Sequence, residues 1–317
     1  MAITTRGAAA AAATLARALE RQWAAHGSRS EPAYRYPAAM REGCAAALLD
    51  LVGGGSVLDP FCGGGSVLRA ALDSRSRSRV VGRDVSPLAV FCAAHRCSAA
   101  FDDGSAARFC RLVADQRSGD YDALFAAYGR RAAADAAGET RVIVECGDAR
   151  EPFGGAPVDA VVTSPPYAHV YDYLRTARAA RSAAADHRGD DPFFGTRPPA
   201  GRDWPESWRD DRELGARAAR VKAAKKGTLA ASDEAWRDDT RRWLAAARAS
   251  LKPGGRLAAV VGDGAGGLGA LDLTAAAADD VGFDFVASAT IAPDRAPGLR
   301  PRGNRRTEHA VLFARPP

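Results

Sequence analysis

Two features of the sequence predict an α/β protein built on a mostly parallel sheet. Short β-branched runs alternate with longer stretches whose apolar residues recur at helical spacing, which is typical of parallel strands joined by crossover helices. Near the C-terminus two strands follow one another without a helix between them, which indicates an antiparallel pair. We therefore expect a seven-stranded, mostly parallel sheet with one antiparallel edge strand.

The strands are predicted from apolar, β-branched runs that end at turn residues. They are Ser56–Asp59, Arg79–Asp84, Arg141–Cys146, Val158–Val162, Arg256–Val261, Phe283–Ile291 and His309–Phe313. Helices are predicted where apolar positions recur every three or four residues, and glycine or proline turns end them. They are 38–51, 67–72, 234–251 and 268–280, with a mostly helical, Ala/Arg-rich scaffold within 104–138.

The chain divides into a leading segment and one large domain. Residues 1–30 are rich in alanine and carry four arginines against one glutamate, which suits either a solvated helix or an organellar transit segment. Residues 31–317 form the main domain, with a helical or loop insertion at about 170–232. The tryptophans and mixed charge of that insertion suit either a target-recognition surface or a solvated lid.

Composition narrows the class of protein. The formal net charge of +6 favours a phosphate-bearing partner, although an arginine-rich composition can also arise without a function. The six cysteines lack CxxC spacing and lie in or beside apolar runs, as reduced intracellular thiols do, and we expect no metal site. No apolar run reaches the roughly 18 residues of a membrane span. We expect a soluble intracellular protein, cytoplasmic or at the nucleoid, with organelle import open in a eukaryote.

A glycine-rich turn follows the first strand. The string from Asp59 to Ser66 ends a strand in an acid, continues through glycines and opens a helix, as the βα units that hold an adenosyl cofactor do. Glycine allows the backbone to approach a ligand because no Cβ stands in the way. The candidate cofactor-binding residues in this turn are Asp59, Pro60, Phe61, Cys62, Gly63 and Gly65.

Two further acids follow the next two strands. Asp84 ends the second strand, where a carboxylate can accept hydrogen bonds from both ribose hydroxyls; the alternative is a cap for the helix that begins near Ser86. Asp148 follows the third strand, where it can accept from an adenine amino group or act as a loop or capping acid. Both carboxylates are therefore candidate cofactor ligands.

A rigid polar loop follows the fourth strand. Thr163-Ser164-Pro165-Pro166-Tyr167 offers a hydroxyl, free carbonyls and an aromatic ring at the carboxyl end of a buried strand. Ser164 Oγ and the Pro165 carbonyl can accept from a planar substrate's amino group while Tyr167 stacks on its ring. A turn whose tyrosine merely packs is the alternative. The candidate catalytic residues are Ser164, Pro165, Pro166 and Tyr167.

Together these motifs resemble the class I S-adenosylmethionine-dependent methyltransferases that act on exocyclic amino groups of nucleic acid bases. The resemblance runs from about Tyr34 to the last strand and rests on Asp59–Ser66, Asp84, Asp148 and Ser164–Tyr167. It implies a Rossmann-like fold, S-adenosylmethionine as cofactor and cofactor contacts from Tyr36 and Pro37. Gly64 and Ser66 stand where that family often has Ser and Thr.

The resemblance implies an enzyme that binds DNA and methylates cytosine N4, because a serine at the first motif position is more similar to those enzymes than to adenine-N6 ones. RNA base methylation and DNA adenine-N6 methylation are the alternatives within the family. In another class, a cofactor- and nucleic-acid-binding subunit without catalysis remains open, as does methylation of small-molecule or protein amines. The implied mechanism is direct methyl transfer to a base flipped out of its stack.

Overall fold

The computed structural model describes residues 2–24, 39–74, 78–86, 89–90, 93, 96–97, 141–173, 213–264, 268–293 and 306–317. Its strands are β1 (Ala2–Gly7), β2 (Ser56–Asp59), β3 (Arg79–Asp84), β4 (Arg141–Cys146), β5 (Val158–Thr163), β6 (Leu251–Gly262), β7 (Asp284–Ala292) and β8 (Glu308–Ala314). Its helices are α1 (Ala9–Trp23), α2 (Glu42–Val52), α3 (Ser66–Asp73), α4 (Arg217–Lys225), α5 (Leu229–Ser250) and α6 (Ala270–Asp280).

One sheet of eight described strands organises the fold, in the order β1-β7-β8-β6-β5-β2-β3-β4. Parallel pairing joins β4, β3, β2, β5 and β6 in that spatial sequence. β8 is antiparallel to both β6 and β7, and β1 is antiparallel to β7. The prediction of a mostly parallel α/β sheet with an antiparallel part is confirmed.

Two details of the predicted sheet are wrong. The antiparallel strand β8 lies inside the sheet, because it pairs with β6 on one side and β7 on the other. The edge beyond β7 is covered by an eighth strand, β1, where the sequence analysis placed only a helix or transit segment. β1 caps an edge whose backbone groups would otherwise lack partners.

Helices cover both faces of the sheet, and the alternation of side chains along the strands separates two cores. On one face, Leu15 and Leu19 of α1 belong to the cluster that includes Val57 of β2. On the other face, Trp243 of α5 packs in the cluster that includes Leu58, the next residue of β2. The first helix is therefore a packed part of the fold and not a solvated leader.

From the sequence we expect no membrane-spanning segment and cysteines in the reduced form. Among the described residues, no helix combines the length and apolarity that a membrane crossing requires. Cys44, Cys62 and Cys97 are buried free thiols, as expected for reduced cysteines. The sequence also contains Cys92-x-x-His95-x-Cys97, a spacing that could suggest a metal site, and its Cys92 and His95 lie outside the described residues.

Candidate active site

A cavity of about 800 Å³, open to solvent, lies at the carboxyl ends of the parallel strands β5, β2, β3 and β4. This is the edge at which ligands bind in open α/β sheets. The candidate residues that line it are Asp59, Pro60, Phe61, Cys62, Gly63, Asp84, Asp148, Ser164 and Pro166. The topology therefore brings the predicted cofactor loop and the predicted catalytic loop to one cavity.

The glycine-rich turn is held by the acid at the end of β2. Asp59 Oδ1 accepts hydrogen bonds from Thr163 Oγ1 at 2.6 Å and from the Phe61 amide at 3.1 Å. Thr163 directly precedes Ser164, so this buried carboxylate joins the cofactor turn to the catalytic loop. Gly65 has φ +79°, and a Cβ there would lie 2.7 Å from Ala93 Cα, which makes glycine necessary at the start of α3.

Asp84, at the end of β3, faces the same turn. Its Oδ2 accepts from the Gly63 amide at 3.0 Å and its Oδ1 from the Ser86 amide at 2.9 Å. The Val85 amide is a third donor to this carboxylate. A carboxylate has about four acceptor sites, so capacity remains for a ligand hydroxyl at the cavity wall. The capping contact and the ribose contact considered from the sequence are therefore compatible in one side chain.

Burial raises the pKa of both carboxylates, Asp59 and Asp84. Desolvation by burial raises the pKa of Asp59 to about 7, against the lowering effect of its bonds from Thr163 and Phe61. Desolvation also raises the pKa of Asp84 to about 6, although backbone amides at Ser86 and Gly63 favour its charged form. A cavity that holds two such carboxylates is a common property of functional sites.

Asp148 is held in an ion pair at the wall of the cavity. Arg150 Nη2 lies 2.6 Å from Asp148 Oδ2, and Arg150 Nη1 lies 2.9 Å from Asp239 Oδ1 of α5. Only 11% of the Asp148 side chain is exposed. The pair fixes this carboxylate, and an adenine amino group would share its oxygens with Arg150.

The catalytic-loop candidates divide between two cavities. Ser164 and Pro166 line the large one, whereas Pro165, Pro166 and Tyr167 line a smaller cavity of about 310 Å³ on the side of α5 and α6. Tyr167 is buried, and its hydroxyl donates to Glu308 Oε1 at 2.6 Å. A Cβ at Gly262 would lie 2.2 Å from the Tyr167 ring, so this glycine makes room for the ring.

Glu308 also connects the catalytic loop to the first helix. Its second oxygen, Oε2, accepts a hydrogen bond from the indole Nε1 of Trp23, the last residue of α1. Desolvation by burial raises the pKa of Tyr167 well above its ordinary value, and Glu308 adds to that effect. Tyr167 therefore remains protonated and acts as a hydrogen-bond donor.

Among the cavity-lining residues that sequence reasoning missed are Tyr173, Glu213 and Leu214. Glu213 accepts a hydrogen bond from the Tyr173 amide, so the insertion near Glu213 contacts the stretch that follows the predicted catalytic motif. In the sequence, Tyr173 could have been found as a site residue because it lies only six residues after Tyr167 of the predicted catalytic motif. Tyr36 and Pro37 lie outside the described residues, although Ala39 and Met40 line the cavity.

The residues of the large cavity fit S-adenosylmethionine. Glycines at positions 63 to 65 leave the end of the turn without side chains beside the N-terminus of α3. Asp84 and Asp148 present acceptors for hydroxyl and amino groups, and Met40 and Phe61 supply apolar wall. This combination of acceptors and apolar wall suits an adenosyl group.

Comparison with known proteins agrees with this geometry. Residues 29–179, just under half of the chain, match the family model described as "UPF0020: RMKL-like, methyltransferase domain". No curated protein matches the chain. The sheet order and this match indicate the class I methyltransferase fold, and the cavity agrees with S-adenosylmethionine as the cofactor.

Solved structures similar to the chain have low identity to it. TrmN from Thermus thermophilus is 16% identical with a TM-score of 0.41, covering 86% of this chain and 48% of its own, so the chain spans about half of TrmN. The rRNA methyltransferase aviRa from Streptomyces viridochromogenes is 16% identical, with a TM-score of 0.40 and coverages of 90% and 88%. A methyltransferase (BH2331) from Bacillus halodurans C-125 is 11% identical, with a TM-score of 0.45 and coverages of 86% and 99%.

Proposed function

We propose that this chain, an S-adenosylmethionine-dependent methyltransferase with the class I fold, methylates an exocyclic amino group of an RNA base. The observation that carries the proposal is the placement of Ser164 and Pro166 in the wall of the cavity that Asp59 and Asp84 also line. A substrate amine bound at Ser164 lies next to the cofactor site, as direct methyl transfer requires.

The choice of an amino group follows from the chemistry of the loop. Ser164 Oγ and the backbone carbonyl of Pro165 are hydrogen-bond acceptors, and together they suit the two N–H bonds of an amino group. Holding both N–H groups leaves the nitrogen lone pair as the remaining direction of attack. A ring carbon or a phosphate oxygen would offer these acceptors nothing to bind.

The choice of RNA follows from the matched family. UPF0020 points to base methylation in tRNA or rRNA, whereas the sequence analysis favoured DNA because of the serine at position 164. RNA presents single-stranded loops and ends whose bases enter a pocket without duplex disruption. RNA is therefore the proposed substrate, and DNA cytosine is the alternative that Ser164 itself favours.

Within this proposal the chain positions its substrates. S-adenosylmethionine supplies a methyl group activated by its sulfonium. Asp84 binds ribose hydroxyls, Asp148 contacts the adenine end, and the glycine turn from Gly63 to Gly65 admits the cofactor next to the backbone. Ser164 and Pro165 orient the amine, and Tyr167, anchored by Glu308, stiffens the loop behind them.

No side chain of the loop is needed as a strong base. The amine becomes cationic as it gains the methyl group, and its proton then passes readily to water. Asp59 accepts a hydrogen bond from Thr163, and Asp84 accepts one from the Gly63 amide. We therefore assign these carboxylates to the turn and the cofactor, and neither of them acts as the base. Alignment of the amine therefore supplies the rate enhancement.

The experiment that tests the proposal asks which polymer receives the methyl group. The protein is incubated with S-adenosylmethionine labelled in its methyl group and, separately, with total RNA, genomic DNA and a mixture of small amines. Label in RNA supports the proposal, and label in DNA alone assigns the enzyme to the alternative. Cofactor binding without transfer to any acceptor would indicate a non-catalytic subunit and overturn the proposal.

A further inference from the structure

Helix α4 is a cationic element beside the candidate active site. Its nine residues contain four basic side chains and no acidic one, and Lys226 follows directly. Four basic residues of this region are exposed and form no ion pair within the described part of the chain. They are Arg217, Lys222 and Lys225 of α4, and Lys226. Some other exposed arginines are paired, as Arg241 of α5 is with Asp238.

Helix stability does not account for this charge pattern. Arg217 stands in the first turn, where the positive end of the helix dipole opposes a cation. Lys222 and Lys226 are four residues apart, and like charges at that spacing destabilise a helix. The lysines of the last turn suit the dipole, but the set as a whole is unfavourable without an anionic partner.

The start of α4 is hydrogen-bonded to the chain that follows the catalytic loop. The Arg217 amide donates to the Tyr171 carbonyl at 3.0 Å, and the His169 amide donates to the Gly215 carbonyl at 2.7 Å. Leu214, three residues before α4, lines both the large and the small cavity. A helix of nine residues is about 14 Å long, so its cations extend from the rim of the site over a distance of that order.

We infer that α4, with Lys226, binds the phosphates of the RNA strand whose base enters the site at Ser164. The inference rests on the proposed function and names the surface that holds the substrate. Phosphates adjoin every base, and cations placed next to a base pocket bind them whatever the sequence. The position of α4 next to the catalytic loop favours the strand that carries the target base over an unrelated acidic protein.

Charge reversal on α4, with a matched reversal elsewhere, tests the inference. The test protein is Lys222→Glu/Lys225→Glu. The control is Arg17→Glu/Arg256→Glu, which makes the same charge change at exposed positions of α1 and β6 that also form no ion pair within the described residues. Each protein is assayed for affinity to a labelled single-stranded RNA over a range of salt concentrations, for methyl transfer to total RNA, and for affinity to S-adenosylmethionine.

The α4 variant is expected to bind RNA about tenfold more weakly, with its log–log salt dependence reduced by roughly 1.4 because two phosphate contacts are lost. Affinity for S-adenosylmethionine is unchanged, and the control variant binds RNA as the wild type does. RNA binding by the α4 variant that equals the control overturns the inference, including the case in which α4 serves an acidic protein instead.

The two proposals fail in different ways. If the wild type methylates RNA and the α4 variant does so equally well, the inference is wrong and the proposed function stands. If the wild type binds RNA without methylating it and the α4 variant loses that binding, the proposed function is wrong and the RNA surface stands. The neutral variant Lys222→Gln/Lys225→Gln, which keeps helix-forming side chains, separates loss of charge from loss of fold.

Discussion

The hydroxyl of Tyr167 donates a 2.6 Å hydrogen bond to Glu308 across 141 residues of sequence. The same carboxylate accepts from the indole of Trp23, so one side chain of β8 joins the catalytic loop to the end of α1. Both donors belong to buried residues. A buried donor that loses its acceptor keeps the full cost of its desolvation.

Replacing this acceptor should therefore destabilise the protein. For Glu308→Ala we expect a loss of about 1–3 kcal/mol in the free energy of unfolding for each donor left unpaired. Glu308→Gln keeps one acceptor oxygen and should lose less. Denaturant unfolding of the two variants, and of each combined with Tyr167→Phe, measures the coupling; additive effects of Glu308→Ala and Tyr167→Phe would contradict the link.

Mutations in the predicted catalytic loop and at Asp84 should affect different steps, methyl transfer in the first case and cofactor binding in the second. Ser164→Ala and Tyr167→Ala should lower kcat/KM for methyl transfer by about 10- to 100-fold, the value of a lost hydrogen bond or loop anchor of 1–3 kcal/mol. Their affinity for S-adenosylmethionine should remain near that of the wild type. Asp84→Ala should instead weaken cofactor binding, and equal loss of that binding in all three variants would refute the division of roles.

The buried carboxylate of Asp59 should make stability depend on pH. Because its pKa rises from 3.8 in the unfolded chain to about 7 in the fold, the folded state binds more protons between these values. The contribution of Asp59 to the free energy of unfolding is therefore fully present below about pH 4 and is lost as the pH rises through about 7. The difference between wild type and Asp59→Asn, followed by urea unfolding from pH 4.5 to 8, should decline; a constant difference would be evidence against this assignment.

Cofactor affinity should respond to pH in the opposite direction. Ribose hydroxyls donate hydrogen bonds, so they favour the charged form of Asp84, whose pKa is about 6 in the folded protein. Affinity for S-adenosylmethionine should weaken as the pH falls below about 6. Calorimetric titrations of wild type and Asp84→Asn compare the two profiles, and a wild-type profile as flat as that of the variant would exclude Asp84 as the group responsible.

Gly262 supplies the space beside the Tyr167 ring. A methyl group there would lie 2.2 Å from the Tyr167 ring, so Gly262→Ala should displace the ring and destabilise the fold by about 1–3 kcal/mol. It should also lower the rate of methyl transfer. Gly154→Ala is the matched control, since its Cβ would meet nothing within 4 Å. Thermal unfolding of the two variants tests the contact, and equal melting temperatures would disprove it.

The sequence predicted those parts of the fold that depend on local pattern. The β-branched run of β5 and the glycine turn after β2 are each visible within ten residues, and their common position follows from the rule for parallel strands. β1 was missed because its sequence, Ala2–Gly7, becomes a strand only by pairing with β7, almost the whole chain away. The Arg150 pair with Asp239 and the Tyr167 bond to Glu308 also depend on distant residues, so no local pattern indicates them.

In the proposed function, Ser164 and the Pro165 carbonyl present an amino nitrogen of an RNA base to the cofactor. The most direct measurement identifies the methylated atom. RNA is treated with the protein and with S-adenosylmethionine that carries a deuterated methyl group, then digested, and the labelled nucleoside is compared by mass spectrometry with synthetic standards. We expect a nucleoside methylated on its exocyclic nitrogen, formed at a strongly reduced rate by Ser164→Ala. A label on a ring carbon, ring nitrogen or ribose oxygen would contradict it.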